Sequence, residues 1–316
     1  MPLASVVLIF LNEERFIEEA VRSVCNQQFA DWELILVDDG STDRSTGMAR
    51  DFAERHRRIR YVDHPRHENR GMSASRNLGV AHATAPYIAF LDADDVWVPE
   101  KLAEQVALLE NMSDVAMVVG ARRYWYSWDP AATKDDFVML TGGVADGCRL
   151  DPPDAALLLQ PLGPRPNAGM DLLVRRSVYE AVGGFEEQFR GLFDDQAFIV
   201  KVFLRFPIYI SSRAWLRYRQ HSASSIGRMT KTDYWRSRSA FLDWFRQDEG
   251  RLVDVRVNAE VRRARRQLPY QRLKDRLWDS IPHEVKRRVK LAFSERAQAR
   301  RSRRAKTGFA RYDPDG

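Results

Sequence analysis

Four short apolar runs constrain this chain more than any other feature: SVVLIF, WELILVDD, IRYVDH and PYIAFLDADD, all within residues 5–95. Each has the length of a strand, and polar or acidic residues end it. Between them apolar positions recur at helical spacing, as in Phe16, Ile17, Ala20, Val21 and Val24, and again in Met48, Phe52 and Ala53. Strands alternating with helices of this length predict an α/β fold with a doubly wound, mostly parallel sheet. In such sheets ligands bind beyond the carboxyl ends of the strands. Asn12 and Glu13, Asp38 and Asp39, and Asp92 and Asp94 all fall at such ends, so one crevice can collect them.

From about residue 115 the pattern loosens. VAMVVGARRYWY reads as a strand, a Pro- and Gly-rich stretch surrounds residues 152–166, and LFDDQAFIVKVFLRFP reads as a helix with Phe198, Val202 and Phe206 four apart. IYISS and WLRYRQH are read as two short strands. From Arg228 onward the pattern is helical and Arg-rich, with breaks expected at Pro269 and Pro282 and a frayed end from about Gln298. These shifts divide the chain into residues 1–114, 115–227 and a basic helical C-terminal extension, 228–316.

Charge separates the extension from the rest. Residues 228–316 hold 25 Lys+Arg against 12 Asp+Glu, a balance of +13, whereas the first 227 residues balance at −7. No uncharged apolar run approaches the roughly 18 residues of a membrane span. Cys25 and Cys148 show neither metal-ligand spacing nor a disulfide framework, which suits a reducing cytosol. The expected location is cytoplasmic, with the basic extension able to touch an anionic membrane face.

Asp92, Asp94 and Asp95 lie within four positions, and like charges so close repel. Mn²⁺ and Mg²⁺ prefer oxygen ligands, and Mg²⁺ is usually held by one or two carboxylates plus substrate phosphates. A solvated turn is the plainer alternative, and a lone D-x-D is a weak motif. The chain lacks G-x-x-x-x-G-K-[ST], and it lacks G-x-G-x-x-G after a strand. A phosphate-bearing ligand therefore needs a metal and basic side chains to neutralise it.

Three longer segments carry a resemblance: SVVLIFLNEERFIEEAVRSVCNQQFADWELILVDDGSTDRS, NRGMSASRNLGVAHATAPYIAFLDADDVW and GGFEEQFRGLFDDQAF. In order and spacing they resemble the family-2 glycosyltransferases, inverting enzymes with the nucleotide-sugar-binding A-type fold, over roughly residues 3–221. The resemblance implies that Leu11, Asn12 and Glu13 line the nucleotide pocket, that Asp39 reads the base, and that Arg76 lies close to the nucleotide. It implies that Asp94 ligates Mn²⁺ or Mg²⁺, with Asp92 at the ribose or the metal's shell, and that His221 contacts the metal or diphosphate. It aligns Asp195 with the catalytic base, and Asp194 stands where the family usually has Glu. The plainer readings are a helix cap by Asn12, a surface arginine at Arg76, and helix capping by Asp194 and Asp195. The segment around Trp125, Trp128 and residues 169–173 is expected to shape the acceptor pocket, and for its Trp and Tyr rings buried packing ranks ahead of stacking on sugar faces.

The expected activity is inverting transfer of a sugar, favouring a UDP-sugar, to a saccharide, lipid-linked or other hydroxyl acceptor in glycan or cell-surface polysaccharide assembly. The competing readings are a non-catalytic nucleotide- or saccharide-binding scaffold and a metal-dependent nucleotidyltransferase, which would not need Asp195. For the basic extension, packing on its own domain ranks ahead of a membrane surface, and nucleic acid comes last.

Overall fold

The computed structural model describes residues 1–280 apart from 168, 223, 225–228 and 250–253. The elements run β1 (Ala4–Phe10), α1 (Ile17–Cys25), β2 (Trp32–Asp38), α2 (Ser45–Arg55), β3 (Ile59–Asp63), α3 (Met72–His82), β4 (Tyr87–Asp92), β5 (Val96–Trp97) and α4 (Lys101–Asn111). After them come β6 (Met117–Trp125), β7 (Phe137–Met139), β8 (Cys148–Leu150), α5 (Asp154–Leu158), β9 (Leu172–Arg175), α6 (Arg176–Ala181), α7 (Asp194–Arg205), β10 (Ile208–Arg219), α8 (Lys231–Trp244) and α9 (Val255–Ser280).

The strands form one sheet in the order β3-β2-β1-β4-β9-β6-β10-β5, with β7 added to β6 and β8 to β10. Pairing is parallel across β3, β2, β1 and β4, and again between β6 and β10. Strand β9 joins these halves and runs antiparallel to both neighbours. The apolar runs are continuous because both faces are covered. In β1, Val7 and Ile9 enter one core with Ile35 and Val37, while Val6, Leu8 and Phe10 enter the other with Leu34 and Leu36. Helix α3 lies so close to β1 that a Cβ on Gly79 would sit 2.3 Å from Val7. Any larger residue there would push the helix off the sheet.

Register brings the acids together. Phe10 at the end of β1 pairs with Asp38 of β2, and Ile9 pairs with Asp92 of β4. A buried ion pair between Lys101 and Asp171 fixes α4 to the segment entering β9.

The second half departs from expectation in two places. IYISS and WLRYRQH are not two strands but the single strand β10, whose pairing with β6 slips between Ile210 and Leu216. Such bulges interrupt the local alternation without ending the strand. Helix α9 continues through Pro269, because a proline removes one hydrogen bond of a helix whose other turns remain bonded.

The chain divides into two compact units, residues 1–265 and 266–316. The first runs well past residue 227, because α8 carries core residues. Phe241 stacks on Phe193 at 5.2 Å, and Trp244 meets Phe189 edge to face at 5.4 Å, just ahead of α7. Among the described residues no helix is long and apolar enough to cross a membrane. Cys25 and Cys148 are both free. Ile281, Pro282, Val285, Val289, Phe293 and the stretch from Gln298 lie outside the described residues.

Candidate active site

A cleft of about 470 Å³ opens beyond the carboxyl ends of β1, β2 and β4. Leu11, Glu13, Asp39, Arg76, Asp92, Asp94 and Asp195 all line it.

The loops after β1 and β2 fasten to each other. Asn12 takes the left-handed conformation, φ 57°, and its side-chain oxygen accepts N–H groups from Thr42 at 2.7 Å and Asp43 at 3.3 Å. It therefore does not cap α1, whose N-cap is Phe16 without a side-chain bond. Instead it ties the β1 loop to the turn that starts α2. Asp38 is buried and structural, accepting from Ser41 and Thr46. Asp39, one residue on, points the other way. Its carboxylate accepts the backbone N–H of Arg70 at 2.7 Å and of Gly71 at 3.0 Å, which pulls the start of α3 to the rim of the cleft. Leu11 stands at the mouth, 40% exposed.

Arg76 is no surface arginine. It projects from α3, only 2% exposed, and makes two ion pairs: to Asp92 at 2.7 Å and to Asp194 at 2.5 Å. One guanidinium thus joins the turn after β4 to the start of α7. Asp194 and Asp195 occupy the first turn of α7, which follows Phe193 in the left-handed region at φ 69°. Neither is the N-cap, so the capping reading fails in its simple form. Asp194 is buried and Asp195 half-buried. Burial lifts the Asp194 carboxyl to about 7 even though Arg76 opposes the rise. Burial also lifts Asp195, against the pull of Arg76 and Arg122.

The crowding of the turn after β4 is relieved acid by acid. Asp92 faces Arg76. Asp94 meets His221, with Nε2 3.1 Å from its carboxylate. Asp95 is buried and accepts the backbone N–H of Arg219 at 2.9 Å, and burial together with Asp94 and Asp92 raises its carboxyl well above the ordinary range.

Arg219, which sequence reasoning missed, fixes this turn. Its Nε donates to the Asp94 carbonyl at 2.7 Å and its Nη2 pairs with Glu19 at 2.5 Å. Phe16, Trp125 and Trp128 stack around it at 4.6, 4.5 and 5.1 Å. Trp125 and Trp128 thus enclose an arginine, in keeping with the packing reading of these rings, while Gly169 and Met170 of the same expected segment line the cleft. An arginine two residues before His221 in YRQH was the available signal. Arg122 and Asn167, also on the cleft wall, had none beyond a pair of arginines in an otherwise apolar strand and an amide in a Pro-rich loop.

Among the described residues no group of three or more His, Cys, Asp and Glu side chains forms a complete metal cage. The convergence of the Asp94 carboxylate and the His221 imidazole gives a two-donor oxygen and nitrogen set. That set fits a divalent ion completing its shell with substrate phosphates.

Residues 5–141 match the family model described as Glycosyl transferase family 2. Among curated relatives, a putative teichuronic acid biosynthesis glycosyltransferase, TuaG of Bacillus subtilis, is 37% identical over 112 residues, 35% of this chain and 44% of the relative. Glycosyltransferase GlyA of Streptococcus pneumoniae is 31% identical over 115 residues, 36% of this chain and 16% of the relative. The chain spans less than half the length of these curated relatives. The solved structure of S. aureus TarS 1–349 with UDP-GlcNAc superposes with a TM-score of 0.61 at 15% identity, covering 82% of this chain and 69% of that one. A mannosyltransferase from Pyrobaculum calidifontis, solved with GDP-Man and Mn²⁺, gives 0.54 at 20% identity, covering 84% and 70%. These likenesses establish a shared fold.

Proposed function

We propose that this chain is a family-2 glycosyltransferase that moves a sugar, with inversion, from a nucleoside diphosphate sugar to a hydroxyl acceptor, and that it works in glycan or cell-surface polysaccharide assembly. The observation that carries the reading is the Asp92–Arg76–Asp194 chain of ion pairs, which sets Asp195 in the same cleft as Asp94. A nucleotidyltransferase has no use for that second acid.

In this reading Leu11, Glu13 and Asp39 surround the nucleoside, with Asn12 holding their loop, and the neighbours solved with UDP favour a UDP-sugar. Asp94 and His221 would hold Mn²⁺ or Mg²⁺, with Asp92 beside them. When bound, the ion supplies positive charge to the departing diphosphate. Asp195 takes the proton from the acceptor hydroxyl as that oxygen attacks the anomeric carbon opposite the leaving group. Its raised carboxyl makes it a stronger base than an exposed aspartate, provided the pH is high enough to ionise it. Arg76 acts as a positioning residue that keeps the base and the turn after β4 in register.

The test is nucleoside diphosphate release from a panel of UDP-, GDP- and dTDP-sugars in Mn²⁺, with EDTA controls. Release from at least one donor, abolished by EDTA and restored by Mn²⁺, is expected. Failure of every donor to bind or turn over would remove the transferase reading.

A further inference from the structure

The cleft wall formed by β6, β10 and the 167–170 loop carries features that the transfer step does not use. Three rings stand side by side across adjacent strands, since Tyr218 of β10, Tyr124 of β6 and Phe137 of β7 are register neighbours. Tyr218 and Tyr124 meet edge to face at 5.3 Å, and Tyr124 and Phe137 stack at 4.7 Å with their planes 5° apart. Tyr218 lines the cleft. Phe137, at the outer end of the row, is 48% exposed. A lone exposed aromatic is ordinary, but a row that begins inside a cleft is continuous with whatever the cleft holds.

The inner end of the row adds polarity. Arg122 and Asn167 line the cleft together with Asp195, and Arg122 Nε and Asn167 Nδ2 are buried without a hydrogen-bond partner. Gly169, at φ 56°, presses its loop onto this arginine, and a Cβ there would sit 2.2 Å from Arg122 Nη2. Buried donors left unanswered are costly, so the wall favours a ligand rich in acceptor oxygens. Rings ask for apolar C–H faces. A saccharide has both.

We infer that this wall is an acceptor subsite for a saccharide of two or more sugars. The reacting sugar lies against Arg122 and Asn167 with a hydroxyl toward Asp195, and the preceding sugar rests on Tyr124 and Phe137. A single sugar at the cleft end does not reach Phe137, two rings away. The inference rests on the transferase reading above and adds a preference for chain length.

Saturation-transfer NMR on the full chain tests it, using glucose and N-acetylglucosamine together with their α1,4- and β1,4-linked di- and tetrasaccharides. At least one tetrasaccharide should bind about tenfold more tightly than its monosaccharide, as expected when one more aromatic contact is buried. Phe137→Ala should erase that gain and leave UDP affinity unchanged, whereas Asn167→Ala should weaken both lengths alike. No length dependence in the wild type, no binding by any saccharide, or a gain intact in Phe137→Ala would overturn the subsite. So would unchanged saccharide binding in a Phe137→Ala protein that loses self-association by light scattering or loses binding to phosphatidylglycerol vesicles. Those results would give the row to a second copy or to a membrane. Loss of nucleotide-sugar binding alongside an intact length effect would instead remove the transferase reading and leave a saccharide-binding wall.

Discussion

Adjacent carboxylates occur twice in the cleft, in the turn after β4 and in the first turn of α7, and their surroundings differ. In the turn, the cleft-lining Asp92 and Asp94 each meet a basic side chain, and only Asp95, which is buried and holds a backbone N–H, has its carboxyl raised. At α7 a single guanidinium, Arg76, pairs with the buried Asp194 while Asp195 is half-buried on the cleft wall, and both carboxyls are pushed upward. Acids that receive a cation need to stay ionised, whereas an acid that accepts a proton gains from a raised pKa. Similar residue patterns are thus sorted into different tasks by burial and by the number of cations nearby.

The largest effect should come from removing the base. Asp195→Asn keeps shape but cannot accept the acceptor's proton, so transfer should fall about 10²- to 10⁴-fold with UDP affinity nearly unchanged. If Asp195 served only the helix end, asparagine would replace it at little cost; wild-type transfer in a folded variant would therefore end its assignment as base.

Arg76 belongs to both regions, so Arg76→Met should harm both at once. Leaving Asp92 and the buried Asp194 without their cation should cost about 3–5 kcal/mol of stability, the range for breaking a buried pair from one side. Denaturant midpoints would measure it, and a loss below 1 kcal/mol would show that the two regions are held together by other means.

Asp94→Ala bears on the turn alone. Titration of UDP with and without Mn²⁺ should show the metal's contribution to affinity, on the order of tenfold or more, disappear in the variant. Persistence of the full Mn²⁺ effect would shift the metal role away from this turn.

The smallest effect is a pH dependence at the start of α7. The Asp194 carboxyl is near 7 when folded against 3.8 for an ordinary aspartate, so between those values the folded protein holds a proton that the unfolded chain releases. This contribution to stability is fully present below about pH 4 and is lost as pH rises toward 7. Asp194→Asn, which resembles the protonated acid, should therefore gain in Tm relative to wild type over that interval. A difference that is flat or falls with pH would contradict the burial assignment.

Much of the first half was legible. Strand runs such as Ala4–Phe10 and Trp32–Asp38 are read from periodicity, and parallel pairing puts their acidic ends on one edge. Legibility fell where contacts span the chain. Beyond its place two residues before His221, nothing local says that Arg219 holds the Asp94 carbonyl, 125 positions away, and nothing local marks α8 as the support beneath Phe189 and Phe193. The single strand β10 was hidden because its bulge breaks the alternation that announces a strand.

By itself the sequence determined the alternation of strands and helices, the acids at the strand ends and the basic character of the C-terminal extension, because each is written in neighbouring residues. Only the tertiary structure decided that Arg76, already paired with Asp92, reaches Asp194 118 residues away, and that His221 faces Asp94 across 127. Those meetings depend on β9 entering antiparallel between β4 and β6, which brings the second half of the sheet alongside the first. Strand order is set by how two buried faces pack over the whole chain, and that packing leaves no periodic signal in any one segment.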